Sequence, residues 1–270
     1  MYESSAVGTG ALEDVAYLSR SENRIRILDA LASEAYPRRE LRDVTCVSRT
    51  TLGRILRELE KRGWVERRAD GNYESTPEGE LVVAQFTSLV EALTVVRTLG
   101  EAATWIPLAE LPIGLRDFSD ATVHRSEPHA PLQLVEYLAD LVRNGSTFRV
   151  LTFLAPPAPL GEAMQAGATD GRLTMEAVLT DGLVTYLRDE ADSPPRWREF
   201  LESGSRIYRY DGRLPCNLFV VDETVLVMSD RPEGRSAAIE SENEAVRAGF
   251  DDLFDRYRAE SESVAPEFFA

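Results

Sequence analysis

Along the first quarter of the chain, hydrophobic positions recur at helical rather than strand spacing. Between Ser48 and Arg68, Leu52, Ile55, Leu56 and Leu59 stand at i, i+3, i+4 and i+7, so they share one face of a helix. The opposite face then carries Thr50, Arg54, Arg57 and Lys61. Ser48 suits the start of this helix, because its hydroxyl accepts from an otherwise unpaired amide. Gly63 suits its end, with Lys61 and Arg62 in the last turn, where the helix dipole favours cations. Beyond Gly63 the pattern changes. Trp64 to Arg68 reads as a strand, Asp70-Gly71 as a tight turn, and Tyr73 to Thr76 as a return strand. Upstream, Ser21 to Ser33 and Arg38 to Val44 read as two further helices. Thr45-Cys46-Val47 is the turn before the third helix, and Cys46 is expected there as a small buried residue.

After the hairpin, Thr76-Pro77-Glu78-Gly79 has the signature of a helix start: a capping hydroxyl, proline at the first position, an acid in the first turn. The helix continues from Glu80 to Gly100, with Leu81, Val82, Phe86, Leu89, Leu93, Val96 and Leu99 in a long apolar stripe. About 20 helical residues span ~30 Å, more than a small domain covers. Phe86, Leu89, Leu93 and Val96 are therefore expected in a homodimer interface, with a core helix as the alternative. Ile106 to Arg116 is a proline-broken connector.

From residue 119 to 258 strand and helix patterns alternate. Strands are expected at Ala121–His124, Thr147–Leu154, Arg172–Leu179, Arg206–Tyr210, Leu218–Val221 and Val225–Met228. Helices are expected at His129–Asn144, Leu160–Ala166, Asp181–Asp189, Arg196–Ser203 and Glu240–Arg258. Glu260 to Ala270 reads as a loose tail. The fold class is α+β: residues 1–76 as one domain, 77–118 as long helix and connector, 119–258 as an α/β domain with a mixed sheet, and 259–270 as tail.

Charge changes the picture. The net charge of −16 argues at first against a nucleic-acid partner. Residues 1–76, however, hold 13 acidic and 13 basic residues, and residues 77–270 hold 33 and 17. From Tyr36 to Arg68 there are 10 basic and 5 acidic residues. The first domain thus carries a basic stretch and the second carries the acidity. Of the 30 basic residues only Lys61 is lysine, a composition similar to proteins of halophilic archaea. Cys46 and Cys216 make no disulfide framework, and with His124 and His129 they show no zinc-ligand spacing, so no metal and no cofactor are expected. MYESSAVGTG is no signal peptide, and no run of 18 apolar residues suggests a membrane span, so a cytoplasmic place with no membrane partner is expected.

Helix, helix, turn, helix, hairpin is the order of the winged helix-turn-helix. On VSRTTLGRILRELEKRGWVERR followed by YESTPEGE, about a quarter of the chain resembles archaeal winged-helix transcription regulators. The resemblance implies double-stranded DNA as partner. Ser48, Arg49, Thr50 and Arg54 would reach base edges or flanking phosphates, and Arg57 and Lys61 phosphates. Arg67, Arg68 and Asn72 on the hairpin would reach backbone or minor groove. The layout of residues 119–258 is similar to the effector domains of TrmB-type sugar-responsive regulators and their TbsP-type halophile relatives, which are related to the phospholipase D fold. That implies a sugar or sugar-phosphate effector. Arg125, Arg149 and Arg209, near strand ends, are the expected effector contacts, because guanidinium pairs bidentately with phosphate. The alternative is that they pair with the many carboxylates.

No catalytic residue is expected. The H-x-K-x4-D of phospholipase D enzymes is absent, since His124 is followed by Arg125 and Ser126 and the one lysine lies elsewhere. G-x-S-x-G, the P-loop and the dinucleotide fingerprint are absent as well. The chain is expected to be a regulator of sugar or central-carbon metabolism and not an enzyme. The competing reading is a winged-helix protein-interaction module fused to an uncharacterised α/β enzyme domain.

Overall fold

A computed structural model describes residues 8–127, 129–190, 194–229 and 237–269. The chain is α+β and divides into two units, Met1–Val90 and Glu91–Ala270.

The first unit opens with helix α1 (Thr9–Ser19), which the sequence pattern did not announce. Helices α2 (Glu22–Ser33), α3 (Arg38–Thr45) and α4 (Arg49–Lys61) follow, then a hairpin of β1 (Val65–Arg67) and β2 (Tyr73–Ser75) in antiparallel register. Ser48 caps α4 as expected, accepting from the Thr51 amide at 3.3 Å. Gly63 and Gly71 adopt positive φ, at the helix end and the hairpin turn. Cys46 also lies in the left-handed region (φ 55) and is exposed, against expectation. It closes α3 and starts the turn, while its neighbours Thr45 and Val47 are buried, the Thr45 hydroxyl donating to the Leu41 carbonyl at 2.6 Å. Leu52, Ile55, Leu56 and Leu59 are all buried against Ile27, Leu28, Leu31 and Leu41.

Helix α5 (Pro77–Leu99) begins in the first unit and ends in the second. Gly79 is obligatory near its start, because a Cβ there would stand 2.0 Å from the Trp64 carbonyl oxygen. Phe86 belongs to the core of the first unit together with Val83, which corrects its expected place on a dimer face. Leu89, Leu93 and Val96 are exposed, as are Leu81 and Val90. By length and composition alone, Pro77–Trp105 would suffice to cross a membrane. Yet Val83 and Phe86 toward one end, and Val95 and Leu99 toward the other, are buried in the two protein cores.

The second unit is an eight-stranded mixed sheet. Its strands are β3 (Thr122–Arg125), β4 (Thr147–Thr152), β5 (Thr174–Thr180), β6 (Arg206–Tyr210), β7 (Asn217–Val221), β8 (Thr224–Met228), β9 (Ala237–Ser241) and β10 (Glu262–Ser263). The order across the sheet is β10-β6-β5-β4-β7-β8-β9-β3. Strands β4, β5 and β6 are parallel, and all other pairings are antiparallel. Helices α6 (Gln133–Asn144), α7 (Ala158–Thr169), α8 (Asp181–Asp189) and α9 (Pro194–Glu202) bury their apolar sides on one face. Helix α10 (Glu244–Ala259) and the turns from Gly100 to Phe118 cover the other. Three expectations are corrected here. Ala237–Ser241 is a strand between β8 and β3, and the last helix starts only at Glu244. The stretch around Ile106, Leu111 and Phe118 is core, not mere connector. The tail is docked: Glu262 and Ser263 pair with Arg209 and Tyr208, and Val264 and Phe269 are buried.

Candidate functional site

In the first unit, burying four aliphatic residues of α4 turns Ser48, Arg49, Thr50, Arg54, Arg57 and Lys61 outward, and all six are exposed. Arg49 and Lys61 have no ion pair among the described residues, and Arg54 has only a long one to Glu58 at 3.9 Å. Arg57 steadies itself on its own helix, its Nε donating to the Gly53 carbonyl at 3.1 Å. On the hairpin, Arg67 Nε donates to the Gly71 carbonyl and its guanidinium lies 5.7 Å from the Tyr73 ring centre. Arg68 is paired with Glu74 on the neighbouring strand, and that partner keeps its guanidinium charged. Asn72 at the tip is half-buried, held by Asp70, which accepts from its backbone amide at 2.9 Å.

One residue of this face is missing from the sequence reading. Arg38, at the start of α3, lays its guanidinium over Gly53 on α4: a Cβ at Gly53 would meet Arg38 Nη2 at 2.0 Å. Gly53 interrupts the charged row in the sequence, and the gap is filled from another helix. The signal was present in a glycine inside an otherwise strong helix, which favours a close approach. Arg62 behaves in the opposite way. It is bound to Asp14 at 2.6 Å and sits 4.2 Å from the Tyr17 ring centre, so it ties α4 to α1 and faces inward.

In the second unit the three arginines expected to hold an effector are not brought together. Arg125 is exposed on β3, at one edge of the sheet. Arg149 on β4 is engaged by Asp251 at 3.0 Å and by Glu176 and Asp255 at 3.7 Å, where it clamps α10 to the sheet. Arg209 on β6 pairs with Glu262 at 2.7 Å and Asp181 at 3.5 Å. For Arg149 and Arg209 the carboxylate-partner alternative holds. Among the described residues no group of histidine, cysteine or acidic side chains is arranged to hold a metal ion. Both cysteines are free.

Residues 12–98 match the family model described as the HVO_A0261 N-terminal domain. Residues 131–260 match that of the middle domain of the methanogenesis regulatory protein FilR1. No curated protein matches the chain. Among solved structures, TrmBL2, described as an archaeal chromatin protein with a novel mode of DNA binding, is 16% identical with a TM-score of 0.43, over 93% of this chain and 99% of that one. Nuc from Salmonella typhimurium, a phospholipase D family member, is 12% identical with a TM-score of 0.42, over 54% of this chain and 99% of that one. Both are distant likenesses. The two family matches follow one another along the chain and each takes in less than half of it.

Proposed function

We propose that the chain is a sequence-specific, DNA-binding transcription regulator whose first unit works as a winged helix-turn-helix. The observation that carries this reading is the outer face of α4, where Arg49, Arg54, Arg57 and Lys61 are exposed on a helix whose other face is core. In this reading α4 enters the major groove. Ser48, Arg49, Thr50 and Arg54 meet base edges or flanking phosphates, since the N-terminal part of a recognition helix reaches deepest. Arg57, Lys61 and Arg38 hold phosphates, and Arg67 and Asn72 on the hairpin touch the backbone beside the groove. Arg68 reaches DNA only by leaving Glu74.

The match of residues 131–260 to a domain of a regulatory protein supports the same reading. The chain works as a cytoplasmic homodimer, with exposed Leu89, Leu93 and Val96 on α5 in the two-fold contact. Two half-sites about one helical turn apart then supply specificity. A small molecule held by the second unit tunes DNA binding, and the acidic surface suits a saline cytoplasm. Base contacts and DNA shape carry more of the affinity there, because phosphate contacts weaken steeply with salt.

Selection of bound duplexes from a random-sequence pool in concentrated KCl tests the proposal. One enriched, two-fold symmetric motif is expected from the native chain, and a degraded motif from Arg54→Ala. A pool that shows no enrichment overturns the regulator reading.

A further inference from the structure

A cavity of about 580 Å³ opens in the second unit at the carboxyl ends of the parallel strands β4, β5 and β6. Small ligands of α/β sheets bind outside that end of the strands, in clefts of this size. None of Arg125, Arg149 and Arg209 lines it.

Asn217, the first residue of β7, is in the cavity wall and is 1% exposed. Its Oδ1 accepts from the Phe153 amide at 3.2 Å and from the Thr152 hydroxyl at 2.7 Å. The Thr152 hydroxyl oxygen in turn accepts from the Leu154 amide at 3.0 Å, so its own proton is the one given to Asn217. A backbone N–H only donates, and it must therefore meet the oxygen of the Asn217 side chain. The orientation of the amide is fixed by this chain of bonds, and it leaves Nδ2 buried with no partner. A buried, unpaired donor is costly and rare in native proteins. Arg213, in the loop after β6, lines the same cavity and has no ion pair among the described residues. Trp105, Phe153, Leu214, Pro215 and Met228 form the apolar part of the wall. Cys216 is there too, but burial, with Glu110 nearby, pushes its thiol up to about 12. It stays protonated at any working pH and is no nucleophile.

We propose that this cavity binds a small organic acid with a flat apolar body, its carboxylate held by Asn217 Nδ2 and Arg213 and its body set against Trp105 and Phe153. Thr104 and Thr180 also put hydroxyls in the wall, so a sugar phosphate is the competing occupant that the test sets against the acid. Thr104 and Trp105 end the turn Gly100–Trp105, which directly continues α5. A ligand leaning on Trp105 therefore bears on the same continuous segment that starts beside the hairpin. That consequence, though not the site itself, rests on the regulator reading.

Isothermal titration of the full chain with 2-naphthoate tests the assignment, with neutral 2-naphthylmethanol and glucose 6-phosphate as the other arms. The acid is expected to bind at least about tenfold more tightly than the neutral alcohol, since hydrogen bonds to a charged group are about twice as strong as neutral ones, and more tightly than glucose 6-phosphate, also an anion, because only the acid sets a flat apolar body against Trp105 and Phe153. Asn217→Ala is expected to weaken it about tenfold. Arg213→Gln, in an exposed loop with no ion pair among the described residues, is expected to remove the preference for acid over alcohol. The site is overturned if 2-naphthoate gives no heat, if glucose 6-phosphate binds more tightly, or if Arg213→Gln leaves the preference intact. Parallel gel shifts separate this from the regulator reading. Duplex retarded by a chain that ignores the acid sinks the site alone. Acid bound at Asn217 by a chain that retards no duplex sinks the regulator reading alone.

Discussion

The arginines on the outer face of α4 and Arg149 in the sheet are the same residue type in opposite situations. On α4, Arg49 and Arg57 have no acidic partner among the described residues, and Arg54 reaches Glu58 only at 3.9 Å. In the sheet, Arg149 meets three carboxylates, and Arg258 meets two of the same three, Glu176 and Asp255, at 3.3 Å. Both sets look equally cationic along the chain. What separates them is the neighbouring element: α4 turns its arginines away from the protein, and β4 turns Arg149 under α10. An arginine is available to a ligand only where the fold leaves its carboxylate neighbours elsewhere.

The largest expected effect follows from the outward set. Arg54→Ala should cost about 1–3 kcal/mol in affinity for the selected duplex, if Arg54 reads a guanine. Its melting temperature should stay put, because the pair lost to Glu58 is long and exposed. Gel shift and thermal unfolding on the same sample check both halves. Unchanged affinity would remove Arg54 from the base-reading set.

The inward set should give the mirror image. Arg149→Ala leaves Glu176, Asp251 and Asp255 facing one another, with Arg258 still beside two of them and Arg206 beside Glu176. Since Arg149 is about one-third exposed, the loss of stability is expected to be about 1 kcal/mol rather than that of a fully buried pair. DNA affinity of the folded variant should not change. A variant that melts like the native chain but releases DNA would break the comparison.

A smaller effect sharpens the outward set itself. Arg57 stands farther along α4 than Arg54 and should touch phosphate only. Arg57→Ala should weaken binding about equally on all sequences and lower the slope of log affinity against log salt by about 1. A sequence-dependent loss would instead place Arg57 among the base readers.

How much of this was legible follows the same division. The first unit was read nearly whole from α2 to β2, because its signals are local: helical spacing, a capping serine, two glycines at positive φ. Helix α1 escaped because it has no side-chain cap and no acid in its first turn. Of Ala237–Ser241, the last two residues read as the start of the final helix, since a glutamate favours one, and the first three as no element. Pairing on both sides with β8 and β3 overrides that preference. The docked tail depends on a sheet edge, and Arg149 on partners in the adjacent strand and in α10, Asp251 lying 102 positions away, and nothing local announces them. The cavity was the least legible. Clefts at strand ends were expected, but Asn217 reads as an ordinary strand residue until Phe153 and Thr152 are seen to fix its amide.

The smallest expected effect concerns a carboxylate that the second unit occupies without any arginine. Asp222, in the turn between β7 and β8, accepts from the amides of Ser146 and Thr147 at 3.1 and 2.8 Å and from their hydroxyls at 2.9 and 3.0 Å. Its own amide donates to the Thr147 carbonyl at 3.1 Å, so the turn is pinned to the start of β4. Partial burial alone would push its carboxyl up, but the bonds from Thr147 and Ser146 outweigh this and hold it below the ordinary carboxylate range. A lowered folded value means that the unfolded chain takes up a proton first as pH falls. The stabilisation is therefore complete above the unfolded value of about 3.9 and is lost as pH drops through the folded value. Asp222→Asn keeps the shape but turns an amide toward four donors. It should melt below the native chain near neutral pH, by less than about 1 kcal/mol because the site is exposed. The gap should close below about pH 4, as the native carboxyl protonates too. Melting curves of both chains at several pH values decide it. A gap of constant size down to pH 3 or so would mean that Asp222 holds the turn by shape, through its left-handed backbone at φ 50, and not by charge.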